Sequence, residues 1–292
     1  SFGSNVIHIK ISQSGSVFVG GSFGIVKLNS NGTTDTTFIT GSNTGVVNDI
    51  GFLPDGKIII GGEFGSYNNM IANKIAVLKS NGEFDNTFNV GQVGFNDNVS
   101  NLIVTNDKIY VVGTFTSYNK KNYESIVKFN SNGTIDETFY NANLFSSTSI
   151  VYDIVKNNDS LILAGDFTQS DPNRNYFVRI NDNGTIDETL PNNLVSSSVF
   201  AIDILPTGEY ILGGSFGRVS DLSCSRFCVI NTGGTLNNNF KNNFGIGFDN
   251  TVNVVKSFDD GKYMVGGDFL TYSGLSFYGG YSTNGIINVD LN

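Results

Sequence analysis

Six copies of one short pattern, set 50 or 51 residues apart, constrain this chain more than any other feature. They read NSNGTTDTTF (29–38), KSNGEFDNTF (79–88), NSNGTIDETF (130–139), NDNGTIDETL (181–190), NTGGTLNNNF (231–240) and STNGIINVDL (282–291). Their turn glycines are Gly32, Gly82, Gly133, Gly184, Gly234 and Gly285. Spacing this even over 292 residues means one structural unit used six times. A second signature keeps the same beat: VGGSF (19–23), IGGEF (60–64), VVGTF (111–115), LAGDF (163–167), LGGSF (212–216) and VGGDF (265–269). A V-x-x-I-like apolar stretch precedes each, separated from it by a short turn such as PDGK or DDGK.

Each unit therefore offers four candidate strands. V-x-x-I is the first, and the stretch ending in GGxF is the second. A segment such as KIAVLKS, after a variable loop, is the third. An Asn-Gly turn then leads to a short fourth that ends on D-x-x-F. Asn-Gly between apolar runs is a strong hairpin signal, because both residues tolerate positive φ. No window of helical length carries a 3.6-residue period. A four-stranded unit of about 50 residues cannot bury both faces alone, whereas six packed around an axis can. The expected fold is all-β, a six-bladed β-propeller of four-stranded antiparallel blades. It forms a single domain over 1–292, with repeats at approximately 1–41, 42–91, 92–142, 143–193, 194–243 and 244–292. The GGxF glycines suit close blade-to-blade contact. Phe23, Phe64, Phe115, Phe167, Phe216 and Phe269 are expected to fill the space between blades. Phe38, Phe88, Phe139, Leu190, Phe240 and Leu291 form a second apolar ring.

The repeats fit a known pattern. GGxF, then x-x-Y, then an apolar strand, then N/D-G-x-x-D-x-x-F, V-x-x-I and D-G-K-I resembles the delta-sixty repeat family, whose members are β-propellers of unknown function. The resemblance covers essentially the whole chain. Its departures are Gly233-Gly234 with Asn237 in the fifth unit, Asn288 in the sixth, and a loop missing after Phe23 in the first. The resemblance implies a binding or scaffold role outside the cytoplasm. Such repeats occur in secreted and cell-surface proteins of bacteria, often large, and in tail-associated proteins of phages. No shared catalytic activity comes with it, and it transfers no active-site residues.

Composition narrows the partners. The net charge is −9 and the pI about 4.5, which argues against nucleic acid, since phosphate binding needs clustered Lys and Arg. Only 15 % of residues are DEKR, against a usual ~25 %, so Asn, Ser, Thr and Gly do the solubilising. No run of ~18 apolar residues exists, so no membrane insertion is expected. No signal peptide is visible, in a chain that begins at Ser1. Cys224 and Cys228, if both on one strand, would stand ~13 Å apart, too far for a disulfide. A bond becomes feasible if Cys224 sits in a loop; otherwise they are two free, partly buried thiols.

Candidate chemistry is sparse. Asp35, Asp85, Asp136 and Asp187 stand in N-x-N-G-x-x-D, whose oxygens are like those of calcium loops. One carboxylate per loop favours turn capping instead, with no metal and no cofactor. Ser22, Glu63, Thr114, Asp166, Ser215 and Asp268, inside GGxF, are expected to face solvent. His8, the only histidine, shares its register with Asp49, Asn101 and Asp153, at positions expected to border a central channel, and reads as polar filling. No GxSxG, HExxH, P-loop or Rossmann fingerprint appears, and the chain is not expected to be an enzyme.

The loops after GGxF vary most and should share one face. Tyr67, Tyr118 and Tyr272 recur at F-x-x-Y and look structural. Tyr123, Tyr176, Tyr278, Asn119 and Asn173 are the candidate ligand-binding residues, since rings stack on sugars and amides bond hydroxyls. The function expected is a non-enzymatic extracellular module on a bacterial surface protein or appendage, recognising a protein partner or surface glycan, within a larger multiprotein assembly. The alternatives are a phage tail-associated structural or receptor-binding propeller on the virion, and a propeller hydrolase or lyase with carboxylates at the channel mouth.

Overall fold

The computed structural model describes residues 5–41, 45–88, 93–139, 144–168, 174–240, 247–259, 262–273, 281–282 and 285–290. The protein is all-β. Each repeat forms one antiparallel sheet in which the GGxF strand lies between the other two. Sheet 1 is Val6–Ile11, Val17–Gly21 and Gly24–Leu28; sheet 2 is Val47–Phe52, Ile58–Gly62 and Ile75–Leu78. Sheet 3 is Val99–Val104, Lys108–Gly113 and Ile126–Asn130; sheet 4 is Ile150–Asn157, Ser160–Asp166 and Phe177–Asn181. Sheet 5 is Val199–Ile204, Tyr210–Gly214 and Phe227–Ile230; sheet 6 is Val252–Ser257, Lys262–Gly267 and Ile286–Asp290.

The expected fourth strand shrinks to one bridge. It pairs Leu28 with Thr34, Leu78 with Phe84, Phe129 with Ile135, Ile180 with Ile186 and Ile230 with Leu236. The aspartate that follows ends it. Asp35 Oδ1, for instance, accepts from the Thr37 N–H at 2.9 Å and its hydroxyl at 2.6 Å, curling the chain out of the sheet. The turn before it also differs from expectation. Only the glycine is left-handed (φ +80 to +88 over the first five). The preceding Asn instead uses its side chain: Asn31 Oδ1 accepts the Thr33 N–H at 3.0 Å. With the Gly32 N–H on Asn29 O and the Asn29 N–H on Thr33 O, the hairpin is a type I turn closed by a left-handed Gly. The sixth copy of the pattern departs from expectation: Gly285 directly precedes the third strand of sheet 6, Ile286–Asp290, and its carbonyl accepts the Gly267 N–H, so these residues form a third strand and not a turn with a fourth.

The first strand of every sheet carries a one-residue bulge after its Val. Val and Ile three apart would alternate faces on a regular strand. The bulge returns them to one face, and Val47 with Ile50, Val99 with Leu102 and Val151 with Ile154 are all buried. The second glycine of GGxF faces this bulge. A Cβ on Gly62 would lie 2.0 Å from Val46 O. The first glycine instead faces the next sheet: a Cβ on Gly61 would lie 2.4 Å from Val99.

The chain forms two compact units, Ser1–Asn141 with sheets 1–3 and Ala142–Asn292 with sheets 4–6. In each, first strands of successive sheets lie side by side and the core sits between sheets. Phe64, Phe115, Phe167, Phe216 and Phe269 are buried, as expected of that ring; Phe23 is half-buried. Phe38, Phe88, Leu190 and Phe240 are buried and Phe139 is half-buried, while Leu291 lies outside the described residues.

Candidate functional site

The loops after GGxF fold into two-stranded ribbons: Ser66–Tyr67 with Met70–Ile71, Ser117–Tyr118 with Lys121–Asn122, and Arg218–Val219 with Leu222–Ser223. In the sixth repeat Thr271–Ser273 pairs with Gly247–Phe248 and Tyr281–Ser282. Two-residue turns close the first two ribbons, with both residues left-handed: Asn68 (φ +49) and Asn69 (+62), Asn119 (+50) and Lys120 (+65). The turns of positive φ at both positions are therefore here, and not at Asn-Gly. Side chains brace the ribbon bases. Asn96 Oδ1 accepts the N–H groups of Thr116 and Ser117 at 3.0 and 2.8 Å. Ser196 Oγ does the same for Gly217 and Arg218, and Asp249 Oδ1 for Leu270 and Thr271.

The F-x-x-Y tyrosines are structural. Tyr67 donates its hydroxyl to Ile39 O at 3.0 Å or Gly82 O at 3.1 Å. Tyr118 packs between Phe95 and Phe129. Tyr272 packs on Phe248, and burial pushes its phenol up to about 12.

Of the candidate ligand-binding residues, Asn119, Tyr123 and Tyr176 are among the described residues. Asn119 ties its ribbon down: its N–H donates to Gly94 O at 2.9 Å, and its Oδ1 accepts the Gly94 N–H at 2.8 Å. Tyr123 is half-buried against the core of the first unit, where desolvation and then Glu137 raise its phenol pKa. Tyr176, in the second unit, occupies a left-handed position (φ +67) that recurs before the third strand. Its N–H donates to Phe167 O and its carbonyl accepts from Gly165, both at 3.0 Å. Lys74, Ser125 and Arg226 hold the same position in other repeats. Asn173 and Tyr278 lie outside the described residues.

The side chains that do project were missed by sequence reasoning. Met70, Ile71, Leu222 and Leu270 are exposed, and so are Lys120 and Lys121. The available signal was the pair of turn residues at 68–69 and 119–120, which marks a tight hairpin tip next to Met70 and Lys121. A cleft of about 310 Å³ opens at this end of the first unit, lined by Asn73, Lys74, Gly94, Asn96, Ser117 and Lys120. Near the turns between first and second strands lies a larger groove of about 580 Å³, lined by Ser12, Ser16, Phe18, Phe52, Thr105 and Asn106 among others.

Carboxylates of the repeat are fully engaged. Each caps a turn through a Thr two residues on, and each holds a cation: Asp35 with Lys27 at 3.1 Å, Asp85 with Lys57 at 2.8 Å, Asp136 with Lys108 at 2.9 Å, Asp187 with Arg179 at 2.7 Å. Burial by itself would raise the Asp136 pKa; hydrogen bonds from Thr138 and Lys108 outweigh it and hold the carboxyl at about 2. Among the described residues, no three His, Cys, Asp or Glu stand close enough to hold a metal ion.

Inside GGxF, Ser22, Glu63, Asp166 and Asp268 are exposed, as expected, whereas Thr114 and Ser215 are half-buried. His8 has a partner that the sequence did not show. Its Nε2 lies 3.0 Å from Asp49 Oδ1, and burial lowers its pKa although Asp49 opposes this. Asp49 Oδ1 also accepts the Ile50 N–H, and Oδ2 accepts the Leu102 N–H of sheet 3 at 2.8 Å. Asp153 bridges sheet 4 to the Ile202 N–H of sheet 5 in the same way. This register therefore staples neighbouring sheets together.

Four segments, 13–38, 53–88, 105–139 and 156–190, match a family model described as a domain of unknown function (DUF5122) beta-propeller. Each segment ends on the last residue of D-x-x-F or D-x-x-L. No curated protein matches the chain. Among solved structures, the WD40 beta propeller domain of Doa1 is similar at a TM-score of 0.57 with 16 % identity, over 96 % of this chain and 76 % of that one. The computationally designed Ika8 protein gives 0.57 with 13 % identity, over 90 % and 68 %. A chain of the Mitotic Checkpoint Complex gives 0.57 with 13 % identity, over 99 % and 77 %. At such identities the likeness concerns the fold alone. The four matched segments and these propeller neighbours together support a β-propeller family for this chain.

Proposed function

We propose a non-enzymatic binding or interaction module that acts outside the cytoplasm, on a bacterial surface protein or appendage. It is built as six blades in a closed ring and recognises a protein partner or a glycan through its ribbon end. Six repeats with one sheet each support the blade number. The exposed apolar faces of sheets 1 and 6 support closure. Ile9 is 60 % exposed where its counterpart Ile50 is fully buried, and Ile286 is 60 % exposed where Ile25 is fully buried. The extracellular setting rests on the delta-sixty resemblance.

The observation that carries the binding role is the way the ribbons are held. Met70, Ile71, Lys120, Lys121 and Leu222 project from ribbons fixed by left-handed turns or side-chain brackets. A surface already ordered in the free protein loses little conformational entropy on binding, which is the main cost of loop-mediated recognition. Exposed Met and Leu beside Lys suit a partner with apolar and acidic groups, whether a protein or an acidic glycan.

The test is a binding survey of the labelled chain against intact bacteria, extracted surface polysaccharides and a glycan array. Saturable binding that falls at least ten-fold in Met70→Ser/Ile71→Ser or Lys120→Glu/Lys121→Glu, with unchanged circular dichroism, is the expected result. Binding that these variants leave untouched, or that moves only with residues of the groove near Phe18 and Phe52, would overturn the assignment to the ribbon end.

A further inference from the structure

The fifth repeat places Cys224 and Cys228 four residues apart, which on a continuous strand would keep the sulfurs far from each other. The chain is not continuous there. Arg226 is left-handed (φ +66), its N–H donates to Phe216 O at 2.8 Å, and its carbonyl accepts the Gly214 N–H at 2.9 Å. This kink folds Cys224 back over the start of the third strand. Its thiol donates to the Phe227 carbonyl at 2.9 Å, three residues further on. Cys228 stands on the third strand opposite Leu212 of the middle one. Both cysteines are buried in one cluster, more completely than the sequence suggested. The Cys228 thiol pKa is raised by burial and then by the neighbouring Cys224 thiol. In the second repeat the matching positions carry Ala72 and Ala76, again small and buried in a common cluster.

We infer that Cys224 and Cys228 are a disulfide-forming pair, reduced as the thiols stand and closed when the chain folds among oxidised thiols such as glutathione disulfide. The inference goes beyond the proposed function and does not rest on it. Cys224, on the ribbon side of the kink, attacks one sulfur of the oxidant as thiolate and releases one glutathione thiolate. Cys228 then gives up its proton and attacks the Cys224 sulfur, which releases the second glutathione. Two protein thiols are oxidised and one glutathione disulfide is reduced, so atoms and electrons balance. The bond closes a loop of five residues and fastens the Arg218–Ser223 ribbon to sheet 5.

The experiment refolds the full chain from denaturant in a mixture of reduced and oxidised glutathione. The product is quenched with acid, and maleimide uptake in denaturant is counted by intact mass. The expected product is a monomer that lacks two hydrogens and takes up no maleimide until a phosphine reduces it, after which it takes up two. Cys224→Ser and Cys228→Ser should each give a chain with one thiol, or a mixed disulfide with glutathione. Two maleimides per chain without reduction, or oxidation only to linked dimers, would overturn the inference. If refolding yields aggregate, the same count on chain secreted into a bacterial periplasm decides between the same two outcomes.

Discussion

Asp136 shows how much one side chain of the repeat is asked to do. It caps the turn through Thr138, pairs with Lys108 at 2.9 Å, and lies 3.7 Å from buried Lys128. Its carboxyl and that of Asp35 are held at about 2. For Asp35 the Thr37 hydroxyl contributes most, then the Thr37 N–H, then Lys27. In an unfolded chain an aspartate titrates near ~3.9. Because the folded value is the lower one, the stabilisation is present above pH ~4 and is lost as pH falls towards 2. Urea unfolding at successive pH values should show this decline, and Asp136→Asn should flatten part of it. At neutral pH that variant should cost about 1 kcal/mol, allowing for solvent screening of the pair. Lys74 offers the opposite case. It sits at φ +69 in a position that Gly24 fills in the first repeat. Lys74→Gly should stabilise the protein by about 1 kcal/mol in thermal or urea unfolding, because the left-handed strain disappears. Lys74→Val should destabilise it.

At the scale of the element, the repeat unit is a bulged three-stranded sheet with glycines where strands and sheets come closest. Gly61→Val would drive its side chain into Val99 of the next sheet, so a loss of about 1–3 kcal/mol is expected. Phe64→Ala, at a fully buried site, should cost about 3–5 kcal/mol. Both are checked by urea denaturation with unchanged circular dichroism in the folded baseline. Much of this element was legible in the sequence. V-x-x-I and GGxF marked the first two strands of each sheet, and N-G-x-x-D-x-x-F marked the turn in the first five repeats, because turn residues and apolar spacing are local signals. Three features were not legible: the bulge, the fourth strand reduced to one bridge, and the left-handed residue before the third strand. The bulge is the instructive one. V-x-x-I looks wrong for a strand of period two, and only pairing with the next strand shows where the extra residue goes. Likewise Lys74, Ser125, Tyr176 and Arg226 carry no left-handed preference of their own. Two backbone hydrogen bonds from the neighbouring strand impose it.

At the scale of the whole molecule, the exposed face of sheet 1 turns ring closure into a measurable claim. Ile9→Ser should destabilise the protein by about 1–3 kcal/mol if a blade covers that face. Ile50→Ser, already buried between sheets 1 and 2, provides the reference for a covered position. An effect of Ile9→Ser below about 0.5 kcal/mol, the usual range of surface substitutions, would sink the closed ring. The candidate site was far less legible than the fold. Tyrosine and asparagine in variable loops look like ligand contacts from sequence. The structure spends Asn119 on a backbone brace and Tyr176 on the left-handed position before the third strand, and turns Met70, Ile71 and Lys121 outward instead.

By itself the sequence determined the repeat, its period, the strand-and-turn order and the residues of the core, since each depends on neighbours within a few positions or on simple apolar spacing. Tertiary structure decided what one chain position means to another. It gave His8 its Asp49, gave Asp49 the Leu102 N–H of the next sheet, and brought Cys224 back to Cys228 across a left-handed kink. These are contacts between groups whose separation depends on how sheets stack and where a strand bends, and neither is encoded in the spacing of letters along the chain.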